Sequence, residues 1–173
     1  MIDKTNTVTG HQKSIQQRIL PRIQELSIER YGENLIGLVV YGSVARETEH
    51  CQSDIDVLVV LNQVPKVRFE RMDFFIDEIE TPILKEFTSH ESGFQIEINP
   101  NIKSFEELMA GSFLNFTIAS EGIILFEKDH IISGYFTKLR NRFKEMGVQK
   151  IPYAGGFYYD FLPNAKSLEV FEL

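Results

Sequence analysis

Two aspartates, Asp54 and Asp56, stand two residues apart at the start of an apolar stretch with the character of a β-strand. Alternate residues of a strand point to the same face, so we expect both carboxylates on one face, about 6–7 Å apart along the backbone. Two ionised acids in this position repel each other, and at least one pKa should be raised unless a cation lies between them. Oxygen ligands arranged in this way suit Mg²⁺, which binds one or two carboxylates together with substrate phosphates.

A second candidate group, Gly42, Ser43 and Arg46, follows another apolar stretch and marks the beginning of a helical turn. Glycine has no side chain and so allows a phosphate to approach the backbone closely. Ser43 offers a hydroxyl and a backbone N–H, and Arg46 is placed to meet the same phosphates. The group therefore predicts a phosphate-binding loop, although Arg46 could equally form a surface ion pair with Glu47 or Glu49.

A third carboxylate, Glu97, belongs to a segment in which polar and apolar residues alternate strictly from Gly93 to Asn99. In a strand, Glu97 would lie on the polar face, opposite Ile96 and Ile98. If this strand pairs beside the strand of Asp54, three acids converge. Three acids can hold two metal ions about 3.5–4 Å apart, the arrangement used for in-line phosphoryl transfer. Glu97 could instead face solvent on an amphipathic strand.

Short apolar stretches predict the strands that would carry these residues. Leu35 to Tyr41 is nearly continuous in apolar residues and rich in β-branched ones, which favours a strand buried on both faces. Asp54 to Leu61 has the same character, and Ile123 to Phe126 is a further short strand. Because strands and helices are interleaved, the sequence indicates an α/β or α+β fold built on a small mixed sheet flanked by helices.

Helical periodicity predicts the elements that precede the third acid. An N-terminal helix carries apolar residues at steps of three and four and ends at Gly32, with a kink or restart expected at Pro21. A second helix is expected from Pro65 to about Phe87, where Pro82 could interrupt it.

Two more helices follow the third acid. A capping box begins one of them at Ser104, and we expect that helix to run to Gly122. Asp129 can cap a last helix, which carries an apolar stripe and ends at Gly147.

The pattern of Gly42 and Ser43, ten further residues and then Asp54-Ile55-Asp56 resembles the DNA polymerase beta-like nucleotidyltransferase superfamily. The longer form, Tyr-Gly-Ser-Val-Ala-Arg followed by Ser-Asp-Ile-Asp, looks like the minimal nucleotidyltransferase branch of that superfamily, as does the segment from Asn115 to Glu127. The resemblance covers residues 11–127.

This resemblance implies a reaction in which an acceptor hydroxyl attacks the α-phosphate of a nucleoside triphosphate (NTP), with ATP as the expected donor, and pyrophosphate leaves. Asp54 and Asp56 would hold two Mg²⁺ ions. Glu97 would bind the ion that activates the acceptor or would act as the acceptor's base. Gly42 and Ser43 would hold the β- and γ-phosphates.

The resemblance leaves the acceptor open. Minimal members of the family often act as antitoxins that adenylylate a helical toxin, so a protein acceptor and a toxin partner are expected first. Transfer to a small molecule of the aminoglycoside type, or to tRNA, is the alternative within the superfamily. A module that binds a nucleotide or a partner without turnover is a further alternative, but a pure binder does not need three converging acids.

Composition limits the class of protein. A hydrophobic fraction of 43% is enough for a packed core, which excludes a disordered chain. The net charge of −7 disfavours nucleic acid as a partner, because non-specific binding depends on neutralising phosphates. The single cysteine, Cys51, cannot form an internal disulfide, and no apolar segment is long enough for a signal peptide or a membrane span. We therefore expect a cytoplasmic protein without membrane contact.

We expect two parts, a nucleotidyltransferase core over residues 1–128 and a C-terminal helix with an aromatic tail over 129–173. The tail is too rich in aromatic residues for a disordered linker, and it would either form a wall of the acceptor site or fill a groove on the far side of the sheet. A basic stretch precedes and enters it, and would contact an acidic or phosphate-bearing partner or form the solvent face of the last helix. Its residues are Lys138, Arg140, Arg142, Lys144 and Lys150.

Overall fold

The computed structural model describes residues 4–49, 53–88, 97–153 and 156–161. The strands in these ranges are β1 (Leu35–Tyr41), β2 (Ile55–Leu61), β3 (Ile98–Ser104), β4 (Ile123–Glu127), β5 (Gln149–Tyr153) and β6 (Gly156–Asp160). The α-helices are α1 (Lys4–Tyr31), α2 (Gly42–Ala45), α3 (Arg68–Phe75), α4 (Thr81–Thr88), α5 (Phe105–Met109), α6 (Phe113–Glu121) and α7 (Ile131–Glu145). None of these helices has an apolar stretch long enough to cross a membrane.

Four strands form a mixed sheet, as the sequence predicted, and their order is β3-β2-β1-β4. Strand β2 pairs in parallel with β3, whereas β1 pairs antiparallel with both β2 and β4. The two central strands, β1 and β2, are the continuous apolar stretches of the sequence and are buried along almost their whole length. A strand whose residues are all apolar has no polar face that could lie in water. A central position in the sheet buries both of its faces beneath helices.

Helices cover both faces of the sheet, which confirms the predicted α/β class. On one face, apolar residues of α1, α4 and the turn before α4 meet the sheet, among them Ile23, Ile83 and Ile79. On the other face, α5, α6 and α7 supply Leu108, Ile118 and Phe136.

Two proline positions in the helices behave differently. Helix α1 continues through Pro21 as one element, so the expected restart does not occur. The predicted helix from Pro65 to Phe87 is instead α3, a π-helical turn over Ile76–Glu80, and α4. Pro82 has no N–H to donate to the carbonyl of Glu78, and the change of hydrogen-bond pattern lies directly before it.

The helix expected from Ser104 to Gly122 is two helices. The capping box at Ser104 is confirmed, with reciprocal hydrogen bonds of 3.0 Å between Ser104 and Glu107. Gly111 then adopts a φ of +79°, a conformation that a helix cannot contain, and Ser112 caps α6 by accepting from the N–H of Asn115.

The third strand lies further along the chain than predicted. It runs from Ile98 to Ser104, whereas the alternating pattern indicated Gly93 to Asn99, and residues 89–96 lie outside the described ranges. Pro100 sits within β3 because β3 is at the edge of the sheet, where a missing N–H does not break the ladder.

The last helix ends as predicted but begins differently. Gly147 adopts a φ of +75° directly after the helix, the conformation expected of a terminating glycine. Asp129 is not the cap, since the residue before the helix is His130 with a φ of +57°. The carboxylate of Glu127 instead accepts from the N–H of Ser133 at 2.8 Å, so an acid from the preceding strand satisfies the first turn.

Strands β5 and β6 form an antiparallel hairpin separate from the main sheet. The ring of Phe161, just after β6, contacts Phe113 and Phe116 of α6 and Phe143 of α7. The described part of the aromatic tail therefore lies against the last two helices, and the division of the chain at residue 128 stays a prediction.

Gly37 of β1 and Gly134 of α7 provide a matched test of this packing. A Cβ at Gly37 would clash with the side chain of Ile132, whereas a Cβ at Gly134 would meet no atom within 4 Å. We expect Gly37→Ala to lower the free energy of unfolding by about 1–3 kcal/mol through overpacking. Gly134→Ala should raise it by about 0.5–1 kcal/mol, because alanine is the better helix former. Urea denaturation measures both, and an unaltered Gly37→Ala variant would contradict the contact of α7 with β1.

Candidate active site

The two aspartates lie where the helical covering of the sheet ends. Asp54 directly precedes β2 and Asp56 lies within it, and both are half-buried. Further along the same face of β2, Leu58 and Val60 are completely buried beneath the helices. The sequence thus predicted correctly that both acids lie at the start of a hydrophobic strand.

Asn99 joins the two aspartates, and sequence reasoning gave it no role. The parallel register of β2 and β3 sets Asn99 beside Asp56. Its side-chain amide donates to Oδ2 of Asp54 at 2.8 Å and also hydrogen-bonds with Asp56. The signal for it was available, since Asn99 shares the polar face of the alternating segment with Glu97.

The pKa of Asp56 is raised above its ordinary value, as predicted for one member of the pair. Burial is the largest cause, and the negative charge of Asp54 is the second. The charge of Arg46 and the hydrogen bond from Asn99 act in the opposite direction without outweighing them. A site that disfavours its own negative charge in this way favours a bound cation.

Gly42 lies against the carboxylate of Asp56. It has a φ of +74°, and a Cβ built on it would clash with Oδ2 of Asp56. Two further hydrogen bonds fold the loop after it: the N–H of Arg46 donates to the carbonyl of Gly42 at 3.3 Å, and the N–H of Thr48 to that of Ser43 at 3.0 Å. Glycine is therefore required here, and the predicted loop lies next to the predicted acids.

Glu97 is not gathered with the aspartates in the structure. Its backbone lies beside theirs, because its carbonyl accepts from the N–H of Ile55 at 2.9 Å, but its side chain is exposed. The pKa of Glu80, on the neighbouring π-helical turn, is raised chiefly by the burial of Glu80 and further by the charge of Glu97. Within the described ranges no three His, Cys, Asp or Glu side chains form a group that could hold a metal. The role of Glu97 stays a prediction.

Arg46 forms an ion pair, but with neither of the two neighbours considered from the sequence. Its Nη1 lies 3.2 Å from Oε2 of Glu121, at the end of α6. Its charge also acts to lower the pKa of Asp56, against the larger effect of burial. The same guanidinium therefore interacts with Asp56 and with the end of α6.

Glu121 holds together a cluster that sequence reasoning missed. We call this cluster the junction, and it consists of Glu121, Arg46, Lys150 and Tyr159. Only 9% of its side chain is exposed. Its Oε1 accepts from Nζ of Lys150 and from the hydroxyl of Tyr159, both at 2.9 Å. Burial alone would raise the pKa of Glu121, but the hydrogen bonds from Lys150, Tyr159 and Arg46 outweigh it and the pKa is lowered. Burial, followed by the hydrogen bond and charge of Glu121, raises the pKa of Tyr159 to about 12.

A groove of about 830 Å³ begins at Arg46 and runs between α6 and the β5–β6 hairpin. Aromatic side chains form most of it, including Phe113, Tyr153 and Tyr158, which are all well exposed. The basic residues of α7 are exposed to solvent, as the simpler interpretation of that stretch proposed, whereas Lys150 belongs to the junction at Glu121.

Known proteins are similar to this chain. A protein-family model for the nucleotidyltransferase domain matches residues 20–107, slightly more than half of the 173 residues. That range contains every residue predicted from the sequence for the site. A candidate protein adenylyltransferase of Methanocaldococcus jannaschii is 25% identical over 130 residues, which are 70% of this chain and 79% of that protein.

Solved structures with a similar arrangement come from toxin–antitoxin complexes. A chain in a crystal structure of a toxin–antitoxin with AMP-PNP has 14% identity and a TM-score of 0.44, covering 73% of this chain and 87% of the other. A chain of the toxin–antitoxin MntA–HepT has 13% identity and a TM-score of 0.46, covering 75% and 88%.

Asp56→Asn tests the charge balance of the site. Because the pKa of Asp56 is raised on folding, its ionised form destabilises the metal-free protein at pH 7. The variant should therefore have a higher Tm than the wild type at pH 7. This gain should vanish as the pH falls through the raised pKa, where Asp56 is protonated. Asp73→Asn, which removes an exposed acid of α3, is the control for net charge. A variant that unfolds would show that Asp56 is a structural residue.

Glu121→Gln tests the junction. The lowered pKa means that Glu121 stabilises the fold fully above its unfolded pKa and loses this contribution as the pH falls through the folded value. The variant should be less stable than the wild type at pH 7 by about 1–3 kcal/mol, the range for hydrogen bonds to a charged group. The difference should shrink toward acid pH. A difference that stays constant with pH, or one matched by Glu145→Gln on the exposed face of α7, would contradict the assignment.

Proposed function

The chain belongs to the nucleotidyltransferase domain family and is a nucleotidyltransferase, and we propose that it transfers the nucleoside monophosphate of ATP to a hydroxyl group of a protein. One observation carries the proposal: Asn99 joins the carboxylates of Asp54 and Asp56, and the carboxylate of Asp56 lies against Gly42. Acids and a side-chain-free loop in contact are what a metal-bound triphosphate requires.

The donor set fits Mg²⁺. Asp54 and Asp56 supply hard oxygen ligands. Burial, followed by the charge of Asp54, raises the pKa of Asp56, and a bound cation would favour its ionised form. Two ions are proposed, with triphosphate oxygens as their further ligands. When bound, Mg²⁺ would neutralise charge on the triphosphate and on the leaving pyrophosphate.

The chain's own residues would bind and orient the reactants. Gly42 and Ser43 would hold the β- and γ-phosphates through their backbone and the serine hydroxyl, with the guanidinium of Arg46 beside them. The acceptor oxygen forms a bond to the α-phosphorus, the bond from that phosphorus to the bridging oxygen breaks, and pyrophosphate leaves. Glu97 would take the proton of the acceptor hydroxyl.

Two observations support a protein as the acceptor. The relative from Methanocaldococcus jannaschii bears the name of a protein adenylyltransferase. The groove that begins at Arg46 is lined mostly by aromatic side chains, and aromatic residues are enriched where proteins bind one another. A helical toxin, expected from the sequence resemblance, is the acceptor to test first.

Nucleotide binding is tested by thermal unfolding with each of the four triphosphates and Mg²⁺. A ligand that binds only the folded protein stabilises it by mass action, by about 2.7 kcal/mol at a concentration a hundredfold above Kd. We expect ATP to raise the Tm of the wild type and to have a much smaller effect on Asp56→Asn. No shift with any triphosphate would overturn the proposed function.

Transfer is tested with ATP labelled at the α-phosphate. Proteins encoded beside this chain's gene, tRNA and an aminoglycoside are offered separately, with Asp56→Asn as the control. Label should enter a protein with the wild type alone. Label in tRNA or in the aminoglycoside would identify a different acceptor class, and binding without any transfer would identify a nucleotide-binding module.

A further inference from the structure

We propose that Glu121 is a positioning residue for the nucleotide site and that Lys150 and Tyr159 of the β5–β6 hairpin support it, because Glu121 connects these two residues to Arg46. The inference rests on the proposed function in one respect, namely that Arg46 contacts the triphosphate.

The two oxygens of Glu121 divide their partners between two parts of the fold. Oε2 accepts from Arg46 on the phosphate-binding loop, whereas Oε1 accepts from Lys150 of β5 and Tyr159 of β6. The carboxylate is almost completely buried, so it cannot exchange these donors for water without leaving its place. A displacement of the hairpin therefore moves or releases the partner of Arg46.

The ion pair with Glu121 fixes the position of the Arg46 side chain. A third of its side chain is exposed, and an arginine pays conformational entropy whenever its guanidinium is fixed in one position. The ion pair to Glu121 fixes it before a ligand arrives, and preorganisation of this kind increases affinity by lowering the cost of binding.

The charges at the junction sum to a net positive charge, which favours binding of a phosphate. Arg46 and Lys150 contribute two positive charges and Glu121 one negative charge, so the junction carries a net charge of +1. The ring of Phe157, on β6, faces both cations, with Nζ of Lys150 at 3.6 Å and Cζ of Arg46 at 5.9 Å from its centroid. The hairpin thus contacts Arg46 directly as well as through Glu121.

Tyr159→Phe and Tyr158→Phe form a matched pair for the test. Both remove one hydroxyl from adjacent residues of β6, but only the hydroxyl of Tyr159 binds Glu121, whereas the ring of Tyr158 is half-exposed and contacts Tyr153. Isothermal titration calorimetry on the full chain measures the Kd for ATP with Mg²⁺. We expect Tyr159→Phe to weaken binding about three- to tenfold, less than the full loss of a hydrogen bond to a charged group because the effect reaches the nucleotide through Arg46. Tyr158→Phe should leave the Kd unchanged.

A double-mutant cycle separates positioning from a structural role. If Tyr159 acts through Arg46, then Tyr159→Phe should have no further effect on Kd in an Arg46→Ala background. An equal loss of affinity in both backgrounds would overturn the inference. Lys150→Gln, at a half-exposed residue, gives the same test if Tyr159→Phe does not fold.

The two proposals fail in distinguishable ways. A wild type that binds ATP and Mg²⁺ while Tyr159→Phe and Lys150→Gln bind equally well would overturn the role of the hairpin and leave the proposed function standing. A wild type that does not bind the nucleotide would overturn both.

Discussion

The repulsion between two carboxylates on one face of a central strand is the constraint on which the site depends. Asp54 and Asp56 are held together by β2, whose other residues are apolar and buried, so neither acid can move away without disturbing the core. The fold compensates with polar groups brought from other elements. Asn99 donates to the acids from β3, and the charge of Arg46 acts on Asp56 from the end of α2. The pKa of Asp56 stays raised, first through burial and then through the charge of Asp54, and a cation bound beside it would favour the ionised form.

The topology of the sheet brings these groups together from distant parts of the sequence. Antiparallel pairing of β1 with β2 sets Tyr41 opposite Asp56, and Gly42 follows as the chain turns into α2. Parallel pairing of β2 with β3 sets Asn99 on the opposite side of Asp56. An acid at the centre of three strands is therefore approached by backbone from both sides, and the missing side chain of Gly42 is a consequence of that crowding.

The features that were predictable from the sequence are those encoded within a few residues. The central strands follow from continuous apolar stretches, the capping box from Ser104 and Glu107, and the position of the loop at Gly42 beside the acids from its spacing to them. Prediction was less accurate where two local signals compete, as at Gly111, which divides an otherwise uninterrupted helical pattern. The junction at Glu121 left no signal, because its partners Arg46, Lys150 and Tyr159 are 75, 29 and 38 residues away.

The division of charge in the structure suggests why the nucleotidyltransferase domain is continued by a hairpin. The family region, residues 20–107, contains both acids and the loop that lies against them, together with Arg46. Glu121, Lys150 and Tyr159 all lie after that region. Without Lys150 and Tyr159, Arg46 would be the one charged partner of Glu121 among the described residues, and the pair would carry no net charge. The hairpin shares the carboxylate between two cations and so leaves positive charge at the loop. In the proposed function the acids serve the ions of a metal-bound triphosphate and Arg46 serves its phosphates, and the hairpin supports Arg46 from outside the family region.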